Sequence, residues 1–578
     1  MKKSKVLALL LALVMLASLA ACGGKTEQNA EKSTAEVTST QSVEPASTVE
    51  APKEPVTLRV LISDQPDYNN FPDNPIAKEI AKQTGVTINF EYADKDRFNV
   101  ILAGGDLPDI VRALNKEDSH FKKLIEAESI IPLDDLLQTN GQNILTSMPQ
   151  MIEFSKKYWS EGQNKVYFLS TNIGQESYGI EQGMGLVVRW DYYKELGYPE
   201  IKSMDDYLNV LKQMQEKHPK TADGKKIYGI GLWNDWGSWC YGMATSFLNR
   251  FVNYGTYDDQ NTVLSQQIMP DGPQWGAVKW LHKANTMGLL DPDALIMSYN
   301  DLAAKATAGQ LLYAPANWPF QDFNGQNAKN GQGYMVMPMD GGGIWAGTDW
   351  VAGWTDKGYS ITKNCKTPDR AMDLLNYLWS YEGARLVYSG VQGEHWDIVD
   401  GKSAIKPEIL QLKATGGDEF KKLQIAQNST GLNYMVGFNA WFTNPNDNMP
   451  MSLFDTEDVY AASLNPLQKD FSDHYGAKYP SQAFAKKVQE GKMVDQKNVN
   501  MYVGGAMAQM PTDIAAISTK VDEAFIKAAA KAILAKSDAE YESVFNKFVE
   551  EANALGYPQL LEWITKTWSD AQIAVGAK

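Results

Sequence analysis

Three cysteines and five histidines are all that 578 residues contain. Cys22, Cys240 and Cys365 show no CxxC spacing, and His120, His218, His282, His395 and His474 form no HxxxH pair. Neither common zinc-site pattern is present, and no metal or cofactor is expected. Positive charge is also short: 54 Lys and Arg stand against 70 Asp and Glu, a net charge of −16. It becomes −19 once the first 21 residues, with three Lys and no acid, are removed. No basic stripe offsets this, and so negative a surface repels phosphate backbones, which argues against a nucleic-acid partner. Long apolar runs are nearly missing. The one present, Val6 to Leu16, has eleven residues, too few to span a bilayer. Aromatic residues, by contrast, are plentiful, with 16 Trp and 27 Tyr, most of which core packing will take. A 44% apolar fraction excludes disorder along the whole chain, and the length calls for two or more lobes.

The short apolar run follows Lys2, Lys3 and Lys5 and ends at Leu19-Ala20-Ala21-Cys22-Gly23. Residues 1–21 read as a signal peptide, and the junction resembles a bacterial lipoprotein box. In that class cleavage falls before the Cys, here Cys22, whose thiol and new amine are acylated and anchor the chain to the membrane. Residues 22–56 hold no Trp, Tyr, Phe, Leu, Ile or Met and are rich in Glu, Lys, Ser, Thr, Ala and Pro. Such a stretch buries too little apolar area to order itself and reads as a flexible tether. The expected location is the extracellular face of the cell membrane, lipid-anchored.

Beyond the tether, strand and helix patterns alternate. Val56 to Ile62 is β-branched and long enough for a buried strand. Ile76 to Gln83 has helical spacing and stops at Thr84-Gly85, Val86 to Tyr92 alternates as a strand, and a helical patch around Arg97 to Ala103 leads through Gly104-Gly105-Asp106-Leu107-Pro108 into Asp109-Ile110-Val111. This rhythm predicts an α/β lobe with largely parallel strands. Ser203 and Asp206 open a helix with Met204, Tyr207, Leu208, Leu211 and Met214 on one face. Thr367-Pro368 opens another with Met372, Leu375 and Trp379 on a stripe, and Ser537 with Glu540 opens a third, with Val544, Phe545, Phe548 and Leu555 inward before Gly556. From about 400 to 520 the periodicity is weak.

Seven segments follow one another in order: Ala103-Gly-Gly-Asp-Leu-Pro-Asp-Ile110, Asn164-Lys-Val-Tyr167, Val188-Arg-Trp-Asp-Tyr-Tyr-Lys-Glu-Leu-Gly197, Ile227-Tyr-Gly-Ile230, Asn285-Thr-Met-Gly-Leu-Leu-Asp-Pro292, Ile361-Thr-Lys-Asn-Cys-Lys-Thr-Pro-Asp-Arg370 and Tyr388-Ser-Gly-Val-Gln-Gly-Glu-His-Trp396. Together they resemble the family 1 extracellular solute-binding proteins of ABC importers, the maltose-binding-protein-like group, and within it the larger lipoproteins of Gram-positive bacteria. The end, Tyr541 to Ala571, also looks like that subgroup's terminal helices. Each motif is weak alone; their order across nearly the whole mature chain is not. The resemblance implies an α/β, two-lobed periplasmic-binding-protein-like fold with a hinge and an interlobe ligand cleft. Its expected division is 57–185 and 346–400 in an N-lobe, and 186–345 and 401–578 in a C-lobe ending in helices. It also implies a monomer that hands its ligand to an ABC permease. The absence of GxxxxGK[ST] agrees with a chain that binds while partner subunits hydrolyse ATP.

Ligands in α/β lobes collect at the carboxyl ends of strands. Asp64 follows the first strand, and Arg112 and Asn115 follow the strand opening at Asp109; their charged and bidentate groups suit vicinal hydroxyls. Loop capping is an equal alternative for Asp64, and Asp106 and Asp109 are expected to fix the turn at Pro108. Trp233, Trp236 and Trp239 sit three apart among Gly, Asn and Ser rather than aliphatic neighbours, as a surface for the flat C–H faces of sugars would. Asn317-Trp318 follows the strand Leu311 to Ala314 and resembles a ligand-stacking position of the family. Trp345, Trp350 and Trp354 lie in the Gly-rich 341–358 stretch; Glu394, His395 and Trp396 lie in a Gly-bounded loop, with His395 expected to be a structural hydrogen-bonder. Trp441 is a weaker candidate of this kind. Where some relatives carry a calcium loop, Thr221-Ala-Asp-Gly-Lys-Lys226 has one Asp beside two Lys, too few oxygen ligands. Cys240 and Cys365 could pair in an oxidising compartment, but two free buried thiols are the expected state.

The sequence therefore supports a binding protein for an oligosaccharide. A receptor for a peptide or other charged solute, with Arg112 dominating affinity, is one alternative. An extracellular glycoside hydrolase is another, but no pair of carboxylates is singled out for it.

Overall fold

The computed structural model describes residues 54–63, 73–93, 95–113, 120–175, 185–245, 251–252, 255–256, 267–270, 272–344, 349–353, 357–415, 418–425, 432, 435–495 and 502–576. Cys22, Asp64, Asn115, Trp345 and Trp354, with the signal segment and the tether as far as residue 53, lie outside them.

The chain opens with β1 (Val56–Ser63), α1 (Pro75–Thr84), β2 (Val86–Ala93), α2 (Lys95–Gly104) and β3 (Ile110–Ala113). β2 and β3 pair with β1 in parallel, one on each side. The limits of α1 follow from its sequence. Asn74 accepts the Ala77 amide at 2.8 Å, Pro75 takes the first helical position where its missing N–H costs nothing, and Gly85 ends the helix in the left-handed region at φ 67°. Leu58, Val60 and Ile62 of β1 bury on one face of the sheet with Ile76 and Ile80 of α1. Leu61, Val111 and Ala113 bury on the other face with Phe98 of α2. Both faces of the parallel sheet are thus covered.

The chain then passes to a second core, entering at β4 (Leu186–Arg189) and continuing through α3 (Met204–Lys217), β5 (Tyr228–Ile230), α4 (Trp239–Met243), α5 (Pro273–Thr286), α6 (Tyr299–Thr307), β6 (Leu311–Tyr313) and β7 (Tyr334–Met337). β5 and β6 run parallel, while β7 pairs antiparallel with β4. Ser203 caps α3 by accepting the Asp206 amide at 3.0 Å, and Met204, Tyr207, Leu208, Leu211 and Met214 form its buried stripe, as the spacing predicts. β8 (Gly358–Ile361) returns to the first sheet, antiparallel beside β3, followed by α7 (Pro368–Leu378) and α8 (Tyr381–Ser389).

One expected boundary is corrected. Residues 401–578 do not all join the second core. Ile405, Phe420, Ile425, Met435, Val436, Phe438, Met451, Leu453 and Phe454 pack in the first, with Leu375 of α7 and Trp379 just past its end. Backbone bonds fasten this segment there: Ile173 donates to Gly437 O at 2.7 Å, and Asn439 donates to Ile173 O at 2.9 Å. The second core resumes at Leu467 and takes in α9 (Thr512–Ile533) and α10 (Asp538–Ala554). The last helix, α11 (Tyr557–Ala574), starts on that core with Tyr557 and Leu560. Its far end reaches the first lobe, where the Tyr158 hydroxyl donates to Ala574 O at 3.0 Å. Among the described residues, no helix is long and apolar enough to cross a membrane.

Candidate ligand site at the carboxyl ends of two parallel strands

The loops that leave β5 and β6 emerge side by side because those strands are parallel neighbours. The β5 loop is pinned from below. Asn234 donates its backbone N–H to Met297 O at 2.9 Å and its side-chain amide to Leu295 O at 3.1 Å. Gly237, at φ 76°, supplies the left-handed turn that starts α4. The 295–297 segment runs into α6, which opens with a full capping box between Ser298 and Asp301. Asp235 adds a further bond there, its Oδ1 accepting the Tyr299 amide at 3.0 Å.

These constraints assemble five aromatic rings. Trp233 is the floor, 1% exposed, with Trp236 and Tyr299 standing edge-on to it at 5.2 and 5.7 Å. Trp236 is 45% exposed. It is stacked with Tyr299 (5.2 Å, 18°) and with Trp239 (6.0 Å, 26°). Trp318 joins from the β6 loop at 6.5 Å, carried on a short turn closed by Phe320 donating to Asn317 O at 2.9 Å. A large ring this exposed, beside a buried one that could have hidden it, is the unusual feature. The indole N–H groups of Trp233 and Trp318 are buried and find no hydrogen-bond partner among the described residues. Such an orphan donor costs about 1–3 kcal/mol, a penalty that a ligand oxygen would remove. Asn234 Oδ1, in the same loop, is a buried acceptor that also finds no partner among the described residues.

Burial pushes the Cys240 thiol up to about 12 and also raises the Tyr241 hydroxyl, so neither is an activated nucleophile. Among the described residues no group of three His, Cys, Asp or Glu side chains could hold a metal ion. In the 221–226 loop, Asp223 is engaged by the Thr221 hydroxyl and by Lys225 at 3.1 Å. Cys240 and Cys365 are both free and buried, one in each core.

The other sequence candidates sit elsewhere. Arg112 is buried in β3, opposite Tyr359 of β8, in the first core's sheet. Trp350 lies in a two-residue strand, Asp349–Trp350, paired antiparallel with Gly174–Gln175. Trp396 belongs to the 396–405 hairpin of the first core: its indole donates to Gly390 O at 2.8 Å and the Arg385 guanidinium lies 5.4 Å from its ring. Glu394 is exposed beside it. His395 is the structural hydrogen-bonder expected, accepting the Val391 amide at 2.9 Å, and burial lowers its pKa. Trp441 also packs on the first lobe's side, its amide held by Asn439 Oδ1 at 3.1 Å. The structure thus brings together Trp233, Trp236, Trp239 and Trp318, with Asn317 beside them in the chain, while Arg112 and Trp396 belong to the first core. Tyr299 and Asp235 are site residues that sequence reasoning missed. The Ser298-to-Asp301 capping box was the available signal, since it fixes Tyr299 at the first helical position.

No family model matches the chain. It is similar to the lipoprotein LipO of Bacillus subtilis (strain 168), 22% identical over 361 residues that cover 57% of this chain and 65% of LipO. It is also similar to the fructooligosaccharide ABC transporter substrate-binding protein FusA of Streptococcus pneumoniae serotype 4, 23% identical over 299 residues, half of this chain and 54% of FusA. The chain therefore spans between half and two thirds of these curated relatives. Among solved structures, FusA in complex with kestose superposes with a TM-score of 0.60 at 16% identity, covering 90% of this chain and all of that one. The alginate-binding protein AlgQ2 gives 0.58 at 16%, covering 90% and 99%. The fold is that of the two-lobed solute-binding proteins. The expected α/β architecture holds, and of these proteins FusA is by name an ABC transporter substrate-binding protein.

Proposed function

We propose that this chain is the substrate-binding lipoprotein of an ABC importer, of the family 1 type. It captures an oligosaccharide in the interlobe cleft and delivers it to a membrane permease. The observation that carries this reading is Trp236, nearly half exposed and grouped with Tyr299 and Trp239 at the carboxyl ends of two parallel strands. Sugar rings present apolar C–H faces to such a stack and hydroxyl oxygens to the orphan indole donors at its edge. The sugar-binding names of FusA and AlgQ2 support the same class. Lipidation at Cys22 and the tether hold the receptor outside the membrane as a monomer, free to meet its ligand. Ligand contact with both lobes favours a closed form, which the permease distinguishes from the open one.

The test is thermal melting of the full chain, solubilised in detergent, against a panel of oligosaccharides. A ligand at about 100 times its Kd adds about 2.7 kcal/mol of stability. A shift with one sugar class, abolished by Trp318→Ala, supports the reading. Shifts with peptides or small anions alone would replace the substrate class, and hydrolysis of any oligosaccharide would replace binding with catalysis.

A further inference from the structure

We infer that Asp235 makes the aromatic site select neutral sugars over acidic ones, its carboxylate accepting hydrogen bonds from hydroxyls of a ring stacked on Trp236. The inference rests on the oligosaccharide reading above and adds a specificity-determining residue to it.

Asp235 lies between the pinned Asn234 and the exposed Trp236 and is itself exposed. Its Oδ1 is tied to the Tyr299 amide at 3.0 Å, the first residue of a capped helix. That bond fixes the carboxylate beside the Trp236–Tyr299 stack, so its remaining acceptor sites are presented there without an ordering cost at binding. A helix N-terminus also favours negative charge at this position. The neighbouring polar groups extend the pattern. Asn234 keeps its amide for Leu295 O, leaving Oδ1, a buried acceptor without a partner among the described residues, in the loop. Behind Gly237 stands Asp522 of α9, whose carboxylate Gln267 contacts at 3.4 Å, while Gln274 reaches Ser238. These side chains are neutral or acidic. Acceptors of this kind match the O–H donors of neutral sugars, whereas a uronate would set its own carboxylate against Asp235, a like-charge pairing that specific interfaces use for rejection.

The experiment is calorimetric titration of the full chain in detergent. The probes are neutral galacto-, gluco- and manno-oligosaccharides and the corresponding uronate oligomers, for wild type, Asp235→Asn and Asp235→Glu. Asn retains an oxygen for the Tyr299 amide, so its unliganded melting temperature checks the fold. The wild type is expected to bind its best neutral sugar at least ~10-fold more tightly than the matching uronate, a difference of about 1.4 kcal/mol. Asp235→Asn should bring the two within roughly 3-fold. Asp235→Glu should keep the preference while weakening both. A purely structural role would lower all affinities and leave the ratio in place, which overturns the inference, as does a uronate as the best wild-type ligand. Binding of no sugar at all overturns the oligosaccharide reading and this inference with it, so the two failures are distinguishable.

Discussion

Trp236 and Tyr299 stack with ring centroids 5.2 Å apart and planes 18° from parallel. One side chain comes from the loop after β5, the other from the first turn of α6, and the two segments are tied by the Tyr299 backbone N–H donating to Asp235 Oδ1. The pair separates binding from stability. Trp236→Ala should change the unfolding free energy by no more than about 1 kcal/mol, because the ring is half in solvent. It should nevertheless weaken oligosaccharide binding about tenfold or more. Trp233→Ala, one ring further in and 1% exposed, should cost about 3–5 kcal/mol. Denaturant melts paired with calorimetric titration check both, and a large stability loss in the Trp236 variant would show that its ring is packing rather than platform.

Acid should unfold the chain partly through Asp447. Burial pushes this carboxyl up, but hydrogen bonds from Arg385 at 2.8 Å and Ser403 at 2.7 Å outweigh that and hold it below the usual range. The stability it adds is present above its unfolded value, about 3.9, and is lost as pH falls through the depressed native value. Asp447→Asn strands the buried Arg385 and should cost about 3 kcal/mol at neutral pH. The variant's stability should then fall less steeply between pH 5 and 2 in guanidinium melts at stepped pH. An unchanged slope would remove Asp447 from the acid transition.

Neither Cys240 nor Cys365 should react with an aromatic disulfide in the native state. Burial pushes their thiols up to about 12 and about 11, so thiolate is scarce as well as hidden. Both should appear after unfolding in denaturant. If Cys22 carries its acyl chain, native lipidated protein reports no reactive thiol, and a fast native reaction would mean that Cys22 is unmodified.

Gly437→Ala should destabilise the first core by about 1–3 kcal/mol. A methyl group there would overlap the Met148 Cε and stand 2.6 Å from Trp379 Cδ1. Hydrogen exchange should register the change at Ile173 and Asn439, which bond across this point. Exchange altered only in the second core would contradict the placement of 405–454.

The opening strand–helix alternation was legible because its signals are local: β-branched runs for β1 and β2, an Asn-Pro start and a Gly stop for α1. The 405–454 segment was not, because it buries Phe438, Met451 and Phe454 from short turns and bridges that have no period to read. Tryptophan identity was equally ambiguous. Trp233 lies beside Asn234, Trp236 beside Gly237 and Trp396 in a Gly-bounded loop, yet one is floor, one is platform, and one is held by Gly390 O and Arg385. Tertiary partners decide among these roles. The aromatic group at β5 was visible as a cluster, while Tyr299 arrives from a helix start far along the chain.

The final helix has a mechanical consequence. α11 is rooted in the second core at Tyr557 and Leu560 and touches the first lobe at Ala574 through Tyr158. At 1.5 Å per residue its 18 residues form a rod about 27 Å long. A rod fixed at one end and braced at the other turns any rotation between the cores into displacement at its tip. The contact at Ala574 O, shared by the Tyr158 hydroxyl and Lys157 Nζ at 3.4 Å, is therefore a natural strain gauge, and Tyr158→Phe removes its shorter bond.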